Sequence, residues 1–144
     1  MPDKEKHRQI SATTGAFSAY LYAYAHEQDL FKAILNGLGG YLGGACVASL
    51  PDQIDVPTSP NHRGIGHGVA PNALVLSQIW RPLLDLSNYL NDRADEFDKK
   101  ESLADAIVAI ACRIASGFVV GMLVGYPAHL VADARTPKRL PLIC

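Results

Sequence analysis

The sequence predicts an all-α protein: an up-down-up-down bundle of about four helices, with one long loop at about residues 51–71 and a metal site at one pole. Three observations lead there. Apolar residues recur three and four apart over long stretches. No run of useful length alternates as a strand would. Proline, glycine, asparagine and aspartate gather in a few places, which leaves about four helical segments within the 144 residues. A chain of that length buries the core of one ordinary domain without disulfides.

Between His7 and His26, Ile10, Phe17, Tyr20, Leu21 and Tyr24 define one helical face, with Ser11, Thr14 and Ser18 between them. A second helix is expected from about Asp29, whose carboxylate can cap it, to Leu50, where Pro51 turns the preceding residue away from helical torsions. This segment carries Gly37, Gly39, Gly40, Gly43 and Gly44, each costly to helix propensity. Close approach of another backbone offsets such a cost, and Gly117, Gly121 and Gly125 supply a matching stripe on the last helix. The second and fourth helices are therefore expected to pack along these glycines, and the same stripes offer a route to a homo-oligomer.

The Pro- and Gly-rich stretch from Pro51 to about Pro71 reads as a loop of about twenty residues, a length that is usually functional or disordered. A third helix starts near Pro71, a favourable first-turn residue, and places Leu76, Ile79, Trp80, Leu83, Leu86 and Leu90 on one face, with a kink expected at Pro82. Asn91 to Glu101 is dominated by charge and reads as a solvated connection. The fourth helix runs from about Ser102 to about Ala134, and Thr136-Pro137 stops it.

Composition narrows the function classes. A formal charge of −1 with 19% charged residues gives no global pull toward nucleic acid, so no specific nucleic-acid binding is expected. Cys46, Cys112 and Cys144 lack the spacing of a zinc knuckle or a disulfide scaffold, which suits a reducing compartment. The charged N-terminal stretch Asp3 to Arg8 has no secretory signal character. Ile114 to Ala132 carries no formal charge and approaches bilayer-spanning length, so the expected location is cytoplasmic or associated with the inner membrane. A Ser or Cys nucleophile and a phosphate-binding P-loop are both unsupported.

The chemistry-bearing residues lie in two distant stretches, one holding Asp52, Asp55, His62, Arg63 and His67, the other His129 and Asp133. His129 and Asp133, four apart on a helix, can share one cation. His62 and His67 lie among Gly64, Gly66 and Gly68, which let the backbone fold closely around a ligand. Asp52 and Asp55 oppose the negative pole of the second helix's dipole, where a cation would compensate them, although turn chemistry also explains their placement. In an up-down-up-down bundle the start of helix one, the end of two, the start of three and the end of four share a pole. His7 therefore joins the other candidates, while His26 falls at the opposite end as a surface residue. Imidazole and carboxylate together suit zinc first, with manganese or iron as alternatives, as one ion or two.

At these residues the chain resembles the YdjM family of membrane-associated metal-dependent hydrolases, the domain-of-unknown-function 457 group. The likeness rests on His7, on Leu50-Pro51-Asp52-Gln53-Ile54-Asp55, on His62-Arg63-Gly64-Ile65-Gly66-His67-Gly68, and on Gly125-Tyr126-Pro127-Ala128-His129 continuing through Asp133 to Thr136-Pro137-Lys138. It implies a helical fold related to zinc-dependent phospholipase C and P1-type nucleases, with metal-bound roles for His7, Asp52, His62, His67, His129 and Asp133. Three places depart from the family pattern: Asp55 is displaced by one position, Gly68 stands where serine is usual, and Pro127-Ala128 replaces a serine-containing pair.

Two readings follow. The first is a metal-dependent hydrolase acting on a phospholipid or nucleotide-like phosphoester, in which Asp55 orients water and Arg63 binds the anion, with Lys138 and Arg139 near the same pole. The second is a membrane-associated, oligomerising helical module whose metal site is structural or vestigial and supports no turnover.

Overall fold

A computed structural model of the protein describes residues 3–50, 53 and 68–134. Within them, four helices follow in order: α1 (Asp3–Glu27), α2 (Leu30–Val47), α3 (Val69–Asp98) and α4 (Leu103–Ala134), with no strand among the described residues. The expected bundle is present. Helices α1, α2 and α4 pack on one another, and α3 lies chiefly along α4.

Local chemistry explains the element ends. Asp29 caps α2 in an extended conformation, its carboxylate accepting from the Lys32 backbone N–H at 3.0 Å. That bond holds the Asp29 carboxyl below its ordinary value. Helix α2 ends at Val47, slightly before the expected Leu50, and a helical turn follows in which Gln53 N donates to Ser49 O at 3.0 Å.

Helix α3 overrides one expectation. The stretch Asn91 to Asp98 is helical rather than a connection, and only Lys99 to Ser102 links α3 to α4. The reason is tertiary: Ala94 is fully buried against the bundle, and the Asp95 and Asp98 carboxylates pair with the buried Arg113 guanidinium of α4, to Asp98 Oδ2 at 2.8 Å. Lys32 of α2 joins them, 2.6 Å from Asp95 Oδ1 and 3.0 Å from Glu27 Oε2. Charges that look solvated along the chain thus fasten one pole of the bundle. Pro82 lies inside α3, which continues through it.

A second correction concerns which faces point inward. Of the apolar face expected on α1, Ile10, Phe17, Leu21 and Tyr24 are exposed, and the buried residues are Ser11, Ala12, Gly15, Ala19 and Ala23. On α3, Ile79, Trp80 and Leu86 are exposed while Ser87 and Ala94 are buried. The interior is built from small residues and polar ones, such as the buried Ser87–Ser116 hydroxyl pair at 2.7 Å. Many bulky apolar side chains lie outside, although Val47, Val120, Leu123 and Leu130 are buried.

Small interior residues let the backbones come very close. The glycine stripes of α2 and α4 face each other as expected: a Cβ on Gly125 would lie 2.6 Å from the Gly44 Cα, and one on Gly121 would fall 2.7 Å from the Gly40 Cα. Helix α1 also takes part, which the stripes on α2 and α4 did not suggest, because a Cβ on Gly15 would meet the Gly40 carbonyl at 2.5 Å. Gly15, Gly40 and Gly121 mark one crossing point of three helices. These glycines are spent inside a single chain, so a second copy would have to use another face.

Candidate metal centre

The helix order brings the start of α1 beside the end of α4. His7 lies in the first turns of α1, and His129 and Asp133 lie one turn apart near the end of α4. Their spacing of four points both α4 side chains along one face, and the small residues between α1 and α4 let His7 approach that face. His129 and Asp133 are buried and His7 is half-buried.

Asp133 spans the two imidazoles. Its Oδ1 is 3.6 Å from His7 Nδ1 and its Oδ2 is 3.3 Å from His129 Nε2. The two rings meet edge to face, with centroids 4.9 Å apart. One donor atom from each residue falls within 4.8 Å of the others. Charge-assisted hydrogen bonds are shorter than these separations. Two donors bound to zinc in a tetrahedron stand about 3.3 Å apart, given bond lengths near 2.0–2.1 Å. The two short separations run to different Asp133 oxygens, and with one donor atom from each residue the three lie within 4.8 Å, so they would have to draw together by roughly an ångström or more to form a face of three nitrogen and oxygen donors. Such a face can hold a divalent ion and leave further positions for other ligands.

Of the residues singled out in the sequence, His7, His129 and Asp133 are brought together as expected. Asp52, Asp55, His62, Arg63 and His67 lie outside the described residues. The segment that carries them begins where α2 ends and finishes where α3 starts, and both ends belong to the pole of the triad. His26 is exposed at the other pole, its Nδ1 at 2.8 Å from the Tyr22 carbonyl oxygen.

Two polar residues near the triad escaped the sequence reading. The Tyr126 hydroxyl, three positions before His129 on α4, donates to Asn72 Oδ1 at 2.6 Å. Asn72 Nδ2 donates in turn to the Gly68 carbonyl at 2.7 Å. The i to i+3 spacing of Tyr126 and His129 was a usable signal for the tyrosine, whereas nothing local marks Asn72.

No family model, curated protein or solved structure matches the chain.

Proposed function

We propose that this protein is a metal-dependent phosphoester hydrolase held in a membrane, with its metal centre at one pole of the bundle. The observation that carries the reading is the convergence of His7, His129 and Asp133 from two ends of the chain. Imidazole and carboxylate donors with no thiolate suit zinc, and the side on which the 51–67 segment joins the bundle offers Asp52, His62 and His67 as further ligands for one ion or two.

A bound divalent ion would supply Lewis acidity and water made acidic near neutral pH. The residues of the chain would do the rest. His7, His129 and Asp133 would fix the ion against two helices, Asp55 would orient the attacking water and accept its proton, and the Arg63 guanidinium would hold two phosphoryl oxygens.

The membrane part of the reading rests on the inverted packing. In water a bundle gains stability by burying its bulky apolar side chains, yet here many of them face outward and much of the interior is small or polar, with Val47, Val120, Leu123 and Leu130 among the few large apolar residues inside. Helices Leu30–Val47 and Leu103–Asp133 are long and apolar enough to cross a bilayer, and only 39% of each apolar stretch is buried within the bundle. A core helix of a soluble protein would be mostly covered. A site at the pole of such a bundle meets phospholipid headgroups directly, which favours a lipid phosphoester as substrate.

The test is metal analysis of the detergent-purified protein, together with hydrolysis of a chromogenic phosphodiester and of phospholipid vesicles. The parent chain is expected to hold zinc and to hydrolyse one of them in a chelator-sensitive way. His129→Ala should lose at least tenfold in metal affinity and most of the turnover, because it removes a ligand. Stoichiometric metal without metal-dependent turnover would favour a structural site in a non-catalytic membrane module, and a metal-free parent would sink the hydrolase.

A further inference from the structure

We propose that Ser11 is a positioning residue of the metal centre, its hydroxyl supporting the ligand layer of His7, His129 and Asp133 from one helical turn deeper in the bundle. The inference rests on the metal-centre reading above, in which those three residues hold the ion.

Ser11 is fully buried, and among the described residues its Oγ has no hydrogen-bond partner. A buried hydroxyl left without a partner costs stability, so its presence calls for a physical reason. The other fully buried serines have one, because the Ser87 and Ser116 hydroxyls pair at 2.7 Å. Packing does not demand a serine either. Ala12, Ala19 and Ala23 fill the α1 interior with no polar side-chain atom.

The place of this hydroxyl in the bundle supplies the reason. Ser11 lies four residues after His7, so the two side chains share one face of α1, a turn apart. In a helix the Cα–Cβ bond tilts toward the N-terminus, which on α1 is the pole of the triad. Glycine contacts bring α4 to the same level. A Cβ on Gly44 would press on the Ser11 carbonyl oxygen and lie 3.0 Å from the Ala12 Cα, and one on Gly125 would lie 2.6 Å from the Gly44 Cα. Ser11, Gly44 and Gly125 therefore mark one layer of three helices, next to the layer of Gly15, Gly40 and Gly121. One turn from it toward the pole come His7 on α1 and His129 on α4.

A histidine that binds a metal through one ring nitrogen keeps a hydrogen on the other, and that N–H takes an acceptor. The Ser11 hydroxyl can accept it from within the dry interior. Such support orients a ligand without touching the ion, and its loss typically weakens metal binding by ten- to a hundredfold.

The experiment measures zinc affinity of the full chain in detergent, by competition with a chromophoric chelator, and the thermal midpoint of the metal-free protein. Ser11→Ala should weaken zinc binding by about tenfold and leave the metal-free midpoint unchanged or higher, because it removes a buried polar atom that has no partner there. Ser87→Ala is the control: by stranding the Ser116 hydroxyl it should lower the metal-free midpoint and keep parental zinc affinity. A merely structural serine would behave like Ser87. Parental zinc affinity in Ser11→Ala, or equal weakening by Ser87→Ala, overturns the role of Ser11 while the metal centre stands. A parent chain that binds no zinc overturns the metal centre and this role with it, so the two failures are distinguishable.

Discussion

Arg113 shows how burial changes the meaning of a charge. Its side chain is 2% exposed, while its partners Asp95 and Asp98 are 41% and 45% exposed. The arginine depends on the carboxylates more than they depend on it, because they can recover water and it cannot. Removing both acids with Asp95→Ala and Asp98→Ala should cost about 3 kcal/mol or more, because it leaves the buried guanidinium only the Glu27 carboxylate, 3.9 Å away. Arg113→Leu should stay within about 1 kcal/mol of the parent, since it replaces the buried ion with an apolar side chain. Denaturant midpoints of the two variants test this, and an equal loss would contradict the asymmetry.

At the scale of the element, glycine is informative only through what it faces. In α2, Gly37 and Gly40 look equivalent along the chain. A Cβ at Gly37 would rest 3.3 Å from the Tyr20 Cβ and 3.4 Å from the Ala16 carbonyl oxygen, tight contacts that a shift of a few tenths of an ångström would relieve. A Cβ at Gly40 would sit 2.6 Å from the Ala19 Cβ and press on the Gly15 backbone. Gly37→Ala should therefore change stability by no more than about 1 kcal/mol, the gain in helix propensity set against these tight contacts. Gly40→Ala and Gly121→Ala should each cost roughly 2 kcal/mol or more by forcing helices apart. Thermal unfolding in detergent reads the contrast, and tolerance of alanine at Gly121 would refute close packing of α2 on α4.

For the whole molecule, the outward display of Phe17, Leu38, Tyr41, Trp80 and Ile107 sets what the bundle needs around it. On the proposed membrane reading, hydrocarbon would cover such a surface, and small-residue packing would supply helix association where the hydrophobic effect cannot. The protein is expected to stay with membranes through a high-pH carbonate wash and to require detergent for extraction; recovery in the wash supernatant would count against spanning. Basic residues also favour one orientation. Lys4, Lys6 and Arg8 begin α1 at the metal pole, and in sequence Arg63, Arg135, Lys138 and Arg139 adjoin that pole. If the bundle spans a membrane as proposed, the positive-inside rule predicts the triad on the cytoplasmic side. A C-terminal fluorescent-protein fusion should glow and an alkaline phosphatase fusion should be inactive, and the reverse pattern would invert the orientation.

The sequence by itself determined the helical class, the number of helices and the meeting of His7 with His129 and Asp133. Each of these follows from periodicity and from chain order, which an up-down-up-down bundle translates into poles. The glycine stripes were legible for a related reason: residues that cost helix propensity need a compensating contact. Only the tertiary structure decided which faces turn inward, that Asn91 to Asp98 is helical, and that Tyr126 and Asn72 tie α4 to Gly68. Apolar spacing marks a face as unlike its opposite but does not say whether protein or lipid will cover it. The reach of Asp95 to Arg113, or of Tyr126 to Asn72, depends on neighbours many residues away that no local pattern encodes.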